Sequence, residues 1–145
     1  MTWLYPNPFI KTWRIEAKHI DHYQHVNNVA YVTQLETTSW AHSNQLGLTI
    51  EQYQGIDRGM VISQHQINYL AAAHYGDVID CATWITQCDK KLKLTRQFQF
   101  IRTADQKTLL TAQTDFICIV LSSGKPTRMP ALFADTYSAA LTLTS

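Results

Sequence analysis

An alternation of apolar and charged residues near the start of the chain is typical of a half-buried strand. Trp13, Ile15 and Ala17 are apolar, and the residues between them carry charge. A period of two turns one set of side chains toward a core. Continuing this period predicts that His19 and Asp21 lie on the core side, so that a carboxylate stands at the end of the strand.

A long helix is predicted after a polar, turn-prone loop. Asn27 or Asn28 is a suitable N-cap and Gly47 a suitable C-cap. At about 100° per residue, one helix face is predicted to collect Val29, Val32, Leu35, Trp40 and Leu46. Glu36 falls near the middle of this face, where a carboxylate must find partners. It either accepts hydrogen bonds from loop amides and fixes the loop, or takes a direct catalytic role.

Four further strands are predicted, at 59–70, 77–88, 92–102 and 109–121. The first is polar on both faces, which favours a place at the edge of a sheet. The third alternates cleanly, and one of its faces collects Leu92, Leu94, Phe98 and Phe100. A short helix is predicted at 131–141, and the tail at 142–145 is expected to be loose.

These elements predict the fold class. Strands linked by tight turns favour antiparallel pairing, and one apolar helix face laid across one sheet buries both surfaces. We therefore expect an α+β fold with a five-stranded antiparallel sheet, one long helix and a short C-terminal helix. With 145 residues and 46% hydrophobic composition, a single domain covering 1–145 is expected.

Charge and cysteine content narrow the function classes. The formal net charge of +1 gives no general attraction to nucleic acid or to a membrane surface. No apolar run reaches membrane-spanning length, and the N-terminus does not resemble a signal peptide. The three cysteines, Cys81, Cys88 and Cys118, do not have a spacing typical of metal ligands. Cys81 and Cys118 are predicted to be small core residues. We expect a cytoplasmic protein with no metal and no cofactor.

The order of strand end, carboxylate, loop and helix start is the feature that points to chemistry. The first amides of a helix have no intrahelical acceptor and can bind a developing oxyanion, and Asp21 stands close to them in sequence as a possible base or nucleophile. The alternatives stay open: Asp21 caps the loop, His25 packs in the loop or shuttles protons, and Asn28 is an N-cap only.

Two segments carry a resemblance to a known family. One is Asp21 with the string His25-Val26-Asn27-Asn28-Val29-Ala30-Tyr31, then Glu36 and Leu46-Gly47-Leu48. The other, at 69–77, reads Tyr-Leu-Ala-Ala-Ala-His-Tyr-Gly-Asp. Over roughly 13–130 the chain resembles hotdog-fold thioesterases of the 4-hydroxybenzoyl-CoA thioesterase superfamily.

The resemblance implies a sheet wrapped around the long helix and a homodimer formed through the strand from Gly59 to Leu70, with a dimer of dimers as an open alternative. It implies active sites at the dimer interface, where Asp21 acts on the thioester and the backbone N–H of Asn28 polarises its carbonyl. The expected catalytic set is Asp21, His25, Asn28 and Glu36. The expected substrate-binding set is Asn27, Tyr31, Met60, Val61 and Arg128.

Some expectations concern the substrate. Trp40, Met60 and Tyr69 are candidate residues for the acyl pocket. Contacts with the phosphates of CoA, or alternatively a solvated rim, are expected of the basic residues Lys90, Lys91, Lys93, Arg96, Lys125 and Arg128. The predicted function is an acyl-CoA thioesterase. The alternatives are an acyl-ACP thioesterase and a non-catalytic hotdog protein that binds acyl groups.

The chain departs from the family pattern at three positions. Tyr23 stands where plant acyl-ACP thioesterases have Asn, Gln24 where many bacterial relatives have Gly, and Trp40 where relatives often have Arg. The general site survives these changes, whereas the identity of the substrate does not transfer.

Overall fold

A computed structural model describes residues 3–142; residues 1–2 and 143–145, which include most of the tail predicted to be loose, lie outside the described residues. The elements in chain order are β1 (Phe9–Arg14), a 3₁₀ turn (Ala17–His19), α1 (Asn28–Gln45), α2 (Ile50–Gly55), β2 (Arg58–Tyr69), β3 (Val78–Cys88), β4 (Lys93–Arg102), β5 (Lys107–Val120) and α3 (Ala131–Ala139). Thr142, the one tail residue described, donates its amide hydrogen to Ile85 O at 2.8 Å.

The strands form one antiparallel sheet in the order β1-β3-β4-β5-β2. The α+β class, the five strands, the long helix and the short C-terminal helix are confirmed. The edge position predicted for β2 is also confirmed. Its exposed large apolar side chains include Ile62 and Tyr69.

The strand predicted at the start of the chain lies earlier than expected. Trp13 and Ile15 do face the core, at 5% and 4% exposure, but β1 ends at Arg14. A 3₁₀ turn follows, in which the Glu16 amide donates to His19 Nδ1 at 2.9 Å. The prediction that His19 and Asp21 continue the core face of a strand is therefore wrong, because the turn breaks the period of two.

Helix α1 lies on the sheet with a different face from the one predicted. Val29 is 72% exposed, whereas Leu35 is 1% exposed. The residues that α1 buries are Ala30, Tyr31, Leu35, Thr38, His42 and Ser43. The buried stripe is thus centred near Leu35, one residue or about 100° around the helix from Glu36. Hydrophobicity alone was misleading because Tyr31, His42 and Ser43 are polar residues that find partners in the interior.

An apolar cluster joins the two short helices α2 and α3. Helix α2, which the sequence reading missed, begins after the N-cap Thr49, whose side chain accepts from the Gln52 amide, and it buries Tyr53. The short helix α3 buries Phe133 and Tyr137 beside it. Six residues are too few for a clear helical period, which is why α2 left no signal in the sequence.

Replacing Gly47 by alanine is expected to destabilise the fold by about 1 kcal/mol, because a β-carbon disfavours the left-handed conformation. Gly47 follows α1 with φ at +92°, and nothing lies within 4 Å of the position of an added β-carbon. The cost is therefore conformational. Gly55→Ala is the matched control, since Gly55 has the same free space without a positive φ. Urea unfolding should show Gly55→Ala to be neutral or stabilising; equal losses in both variants would contradict this account.

Candidate functional site

Asp21 lies in a tight loop that uses one of its two carboxylate oxygens. Its Oδ1 accepts hydrogen bonds from the amides of Tyr23 at 2.8 Å and His25 at 3.4 Å. The Asp21 amide in turn donates to His25 O at 2.9 Å. Asp21 is half-buried, and within residues 3–142 nothing hydrogen-bonds to its Oδ2. The capping role left open by the sequence is therefore real, and it leaves one oxygen available.

Gln24 occupies the left-handed region of backbone conformation, with φ at +63°. Glycine adopts this conformation without steric cost, whereas other residues seldom do. The need for this turn explains the glycine of many relatives at this position. Gln24 preserves the turn, since the Gln24 amide donates to Asp21 O at 3.1 Å.

Asn27 is the N-cap of α1. Its Oδ1 accepts from the Ala30 amide at 2.8 Å, and its Nδ2 donates to His19 O at 3.0 Å. The next two amides, those of Asn28 and Val29, have no acceptor in the part of the chain that the structure describes. Both residues are exposed. The helix therefore begins with two free donors beside the Asp21 loop.

The segment at 69–77 holds this region in place. The Val26 amide donates to Ala73 O at 3.0 Å, and the Ala73 amide donates to the Tyr31 hydroxyl at 3.1 Å. Tyr31 is only 5% exposed, and burial raises the pKa of its hydroxyl. The ring of His25 lies edge-on to that of His74, with 5.2 Å between centroids. The side chains of Asn27 and Tyr31 thus form hydrogen bonds within the chain, and their contact with substrate stays a prediction.

The Gly-Asp pair of the second motif fixes the segment itself. Gly76 has φ at +86°, and Asp77 Oδ2 accepts from the His74 amide at 2.9 Å. The same oxygen pairs with Arg102 Nη1 at 3.1 Å. This carboxylate is therefore a loop anchor, joined to β4 by an ion pair.

A cavity of about 270 Å³ lies between α1 and the strands β2, β4 and β5. Glu36, Met60 and Val61 line it, as does Trp40, while Tyr69 does not. From Asn28 to Glu36 is about 12 Å along the helix axis. The predicted site residues therefore fall into two groups in one chain, one at the helix start and one at the cavity. Arg128 belongs to neither and is exposed in the loop before α3.

Glu36 is neither partly buried nor hydrogen-bonded to the loop, the two environments considered for it from the sequence. It is exposed, and among the described residues nothing hydrogen-bonds to it or pairs with it. The prediction that Glu36 is partly desolvated and the alternative that it fixes the loop are therefore wrong in this chain. The reason is that α1 buries a face about 100° away from the predicted one, so Glu36 lies toward the open side of the cavity.

Arg96 lines the cavity from β4 and is 1% exposed. Its Nη1 lies 2.8 Å from His42 Nδ1, and its Nη2 donates to Ser43 Oγ at 2.9 Å. Burial lowers the pKa of Arg96. The expectation that Arg96 joins a solvated rim or meets CoA phosphates is wrong, whereas the other five basic residues named with it are exposed. The burial of Arg96 could have been predicted from the two-residue period of β4, which places Arg96 on the same face as Leu94 and Phe98.

Two tyrosines complete the polar end of this cavity. The Tyr137 hydroxyl hydrogen-bonds to Ser43 Oγ at 3.0 Å and also to the Tyr53 hydroxyl. Burial raises the pKa of Tyr53, so its hydroxyl is neutral near pH 7 and can both donate and accept a hydrogen bond. The sequence did not assign Ser43, Tyr53 or Tyr137 to a site, because they come from α1, α2 and α3.

Within residues 3–142, no group of three or more histidine, cysteine, aspartate or glutamate side chains could hold a metal ion. Over the same residues, no helix is both long enough and apolar enough to cross a lipid bilayer.

The thioesterase-like superfamily matches residues 15–136 of the sequence, so the chain belongs to this superfamily. The resemblance drawn from the motifs, and the enzyme class of thioester hydrolase that it implied, are confirmed. No curated protein matches the sequence.

Solved structures share the fold at low sequence identity. A protein from Staphylococcus aureus, solved in complex with CoA, is 17% identical with a TM-score of 0.84, over 97% of this chain and 90% of its own. A 1,4-dihydroxy-2-naphthoyl-CoA thioesterase from Synechocystis is 17% identical with a TM-score of 0.81, over 91% and 96%. A probable thioesterase from Escherichia coli, YbaW, is 20% identical with a TM-score of 0.76, over 91% and 98%. The hotdog fold is thereby confirmed.

Lowering the pH from 6.5 to 4 is expected to destabilise the protein through His42. Burial, and secondly the charge of Arg96, lower the pKa of His42 from 6.5 to about 4. Between these values the unfolded chain binds a proton that the folded chain does not. The stability from neutral His42 is therefore complete above pH 6.5 and falls by up to about 3 kcal/mol as the pH approaches 4.

His42→Asn tests this account, because an amide oxygen can replace Nδ1 as the acceptor for Arg96 without titrating. Urea unfolding at several pH values between 7 and 4 should give a flatter dependence for the variant. The pKa of His65 is also lowered by burial, but His65 titrates in both proteins and cancels. The same slope in both proteins would remove His42 from the explanation.

Proposed function

We propose that the chain hydrolyses acyl-CoA thioesters, with Asp21 as base or nucleophile and the start of α1 as the oxyanion hole. The observation that carries the proposal is the pair of free amides at Asn28 and Val29, which directly follow the loop that holds a carboxylate whose Oδ2 is unengaged. The CoA complex of the Staphylococcus aureus protein supports CoA as the carrier. Acyl-ACP is the alternative substrate, and acyl binding without hydrolysis is the alternative function.

This arrangement suits the chemistry of a thioester. Attack on the carbonyl carbon places negative charge on the oxygen, and fixed amide donors stabilise that charge without having to reorganise. Asp21 either takes a proton from the attacking water or attacks the carbon itself, forming an anhydride that water then opens. The C–S bond breaks, and the sulfur leaves as a thiolate that takes up a proton. The loop amides of Tyr23 and His25 keep Asp21 oriented.

A homodimer would bring together the two groups of site residues, those at the helix start of one chain and those at the cavity of the other. The Tyr69 hydroxyl donates to Asn28 Oδ1, so the last residue of β2 lies at the helix start. Met60 stands nine positions earlier, about 30 Å away along an extended strand. Two β2 strands paired antiparallel about their midpoint would bring the helix start of one copy to the Met60 end of the other.

The outer side of β2 is available for this pairing. Within residues 3–142 no strand pairs with it, and Ile62 is 46% exposed. A free edge with exposed apolar side chains favours pairing with another copy. In the proposed homodimer, the acyl group held at one helix start enters the cavity of the other chain between Glu36, Met60 and Val61. Arg128, exposed in its loop, is then a candidate contact for CoA.

Asp21→Asn is expected to fold normally and to lose at least about 100-fold in kcat on acyl-CoA, because the amide can still accept from the loop but cannot act as a base or nucleophile. Release of free thiol from a panel of acyl-CoAs measures this. Asp89→Asn is the matched control, since Asp89 Oδ1 likewise accepts from loop amides, those of Lys91, Leu92 and Lys93. It should turn over like the wild type.

Turnover by Asp21→Asn close to that of the wild type would remove Asp21 from the mechanism. Hydrolysis of acyl-ACP with none of acyl-CoA would select the alternative carrier. No thiol release from either carrier by the wild type would leave only the binding function.

Mixing two inactive variants tests whether each site is shared between chains. Asp21→Asn removes the carboxylate, and Ser39→Trp fills the cavity, which Ser39 lines. If sites are shared, a mixed dimer holds one intact site, and random co-expression should restore about a quarter of wild-type activity. Light scattering and mass spectrometry would establish that mixed dimers are present. No recovery despite mixed dimers would place both groups of residues in one chain.

A further inference from the structure

Arg96 is a buried cation with neutral partners only. In the part of the chain that the structure describes, no carboxylate oxygen lies within 4.0 Å of its guanidinium. Its contacts are His42 Nδ1, Ser43 Oγ and Tyr137, whose ring centroid lies 6.0 Å from Cζ and whose side chain also hydrogen-bonds to the guanidinium. A guanidinium carries five N–H donors, more than these three partners use.

A buried charge is unfavourable unless an opposite charge or strong hydrogen bonds compensate for it. The pKa of His42 is lowered to about 4, so this ring is neutral near pH 7 and adds no negative charge. Burial raises the pKa of the Tyr53 hydroxyl, so this group is neutral as well. The site therefore holds a positive charge without a negative partner among the described residues. Arg96 lines a cavity that is otherwise apolar over much of its wall, with Leu35, Leu94, Phe98 and Phe116.

We propose that this cavity takes acyl groups whose far end carries a carboxylate, which pairs with Arg96. The proposal rests on the proposed function, in which the cavity receives the acyl group of the thioester. A carboxylate matches the planar fork of a guanidinium in two parallel hydrogen bonds, and the apolar walls suit the methylene groups behind it. The substrate class is then the CoA monothioesters of dicarboxylic acids.

The size and lining of the cavity agree with this class. Its volume of about 270 Å³ lies just below the roughly 300–1,000 Å³ of pockets that enclose drug-sized ligands, so it suits an acyl group and not CoA itself. The Ser43 and Tyr137 hydroxyls lie beside Arg96 and can hydrogen-bond to the same carboxylate. Glu36 also lines the cavity, but it is exposed, so water screens its charge.

A purely structural role for Arg96 is the competing account. Its hydrogen bonds to α1 would then tie the helix to β4, and the end of the acyl chain would not matter. The two accounts differ in selectivity, because only a ligand-binding guanidinium distinguishes a terminal carboxylate from a terminal methyl group on acyl chains of equal length.

The test compares matched pairs of substrates: glutaryl-, adipoyl- and suberoyl-CoA against pentanoyl-, hexanoyl- and octanoyl-CoA. The wild type should favour the carboxylate member by roughly 10–100-fold in kcat/KM, the range expected of hydrogen bonds to a charged group. In Arg96→Met this ratio should fall to one or below, and Arg96→Lys should retain part of it. Arg14→Met, which removes an exposed arginine of β1, should leave the ratio unchanged.

Binding measurements keep the test decisive if variants at Arg96 fail to fold or if nothing is hydrolysed. Titration calorimetry of Asp21→Asn with adipoyl-CoA and hexanoyl-CoA should show tighter binding of the former. Equal affinities, or binding of neither, would overturn the carboxylate proposal. Hydrolysis of both members of each pair at equal rates would overturn it while leaving the thioesterase function intact. Selective binding by the wild type without any hydrolysis would instead refute only the proposed function.

Discussion

The seating of α1 on the sheet is the constraint on which the rest of the structure depends. The helix is fixed near its start by the Tyr31 hydroxyl, which accepts from the Ala73 amide, and toward its end by His42 and Ser43, which contact Arg96. Buried polar groups are costly unless they are satisfied, so these bonds determine which face of α1 is inward. Apolar contact alone would allow the helix to rotate toward its valine residues.

The orientation of α1 determines what lies at the helix start and what lies along its middle. At the start, Asn27 caps the Ala30 amide and leaves those of Asn28 and Val29 directed outward. Further along, Glu36 is left outside the core, where it borders the cavity instead of plugging it. The orientation of α1 therefore leaves space for an acyl group beside Glu36, and the start of the same helix supplies the free donors.

The sequence predicted those parts of the molecule whose signals are local. The predicted bounds of β3, β4 and β5 agree with the structure to within a few residues, β4 from its clean alternation, and the Asn pair and Gly47 bounded α1 closely. The helix face was mispredicted because Tyr31 and His42 are buried through hydrogen bonds, which a hydrophobic period does not register. The polar end of the cavity could not be assembled from the sequence, since its members come from three helices and a strand that meet only in the folded chain.

The buried charge of Arg96 can be considered for its effect on the stability of the fold and, separately, for its effect on the selectivity of the cavity. A helix could be held against β4 by neutral hydrogen-bonding groups, and replacing buried charges with apolar residues often stabilises a fold. The charge of Arg96, which is 1% exposed, is therefore not needed to hold α1 against β4, because an uncharged side chain could make the same hydrogen bonds. In the proposed complex, this charge pairs with the carboxylate of the acyl group. A binding site in which the ligand completes an unpaired buried charge discriminates strongly, because an uncharged competitor leaves that charge uncompensated.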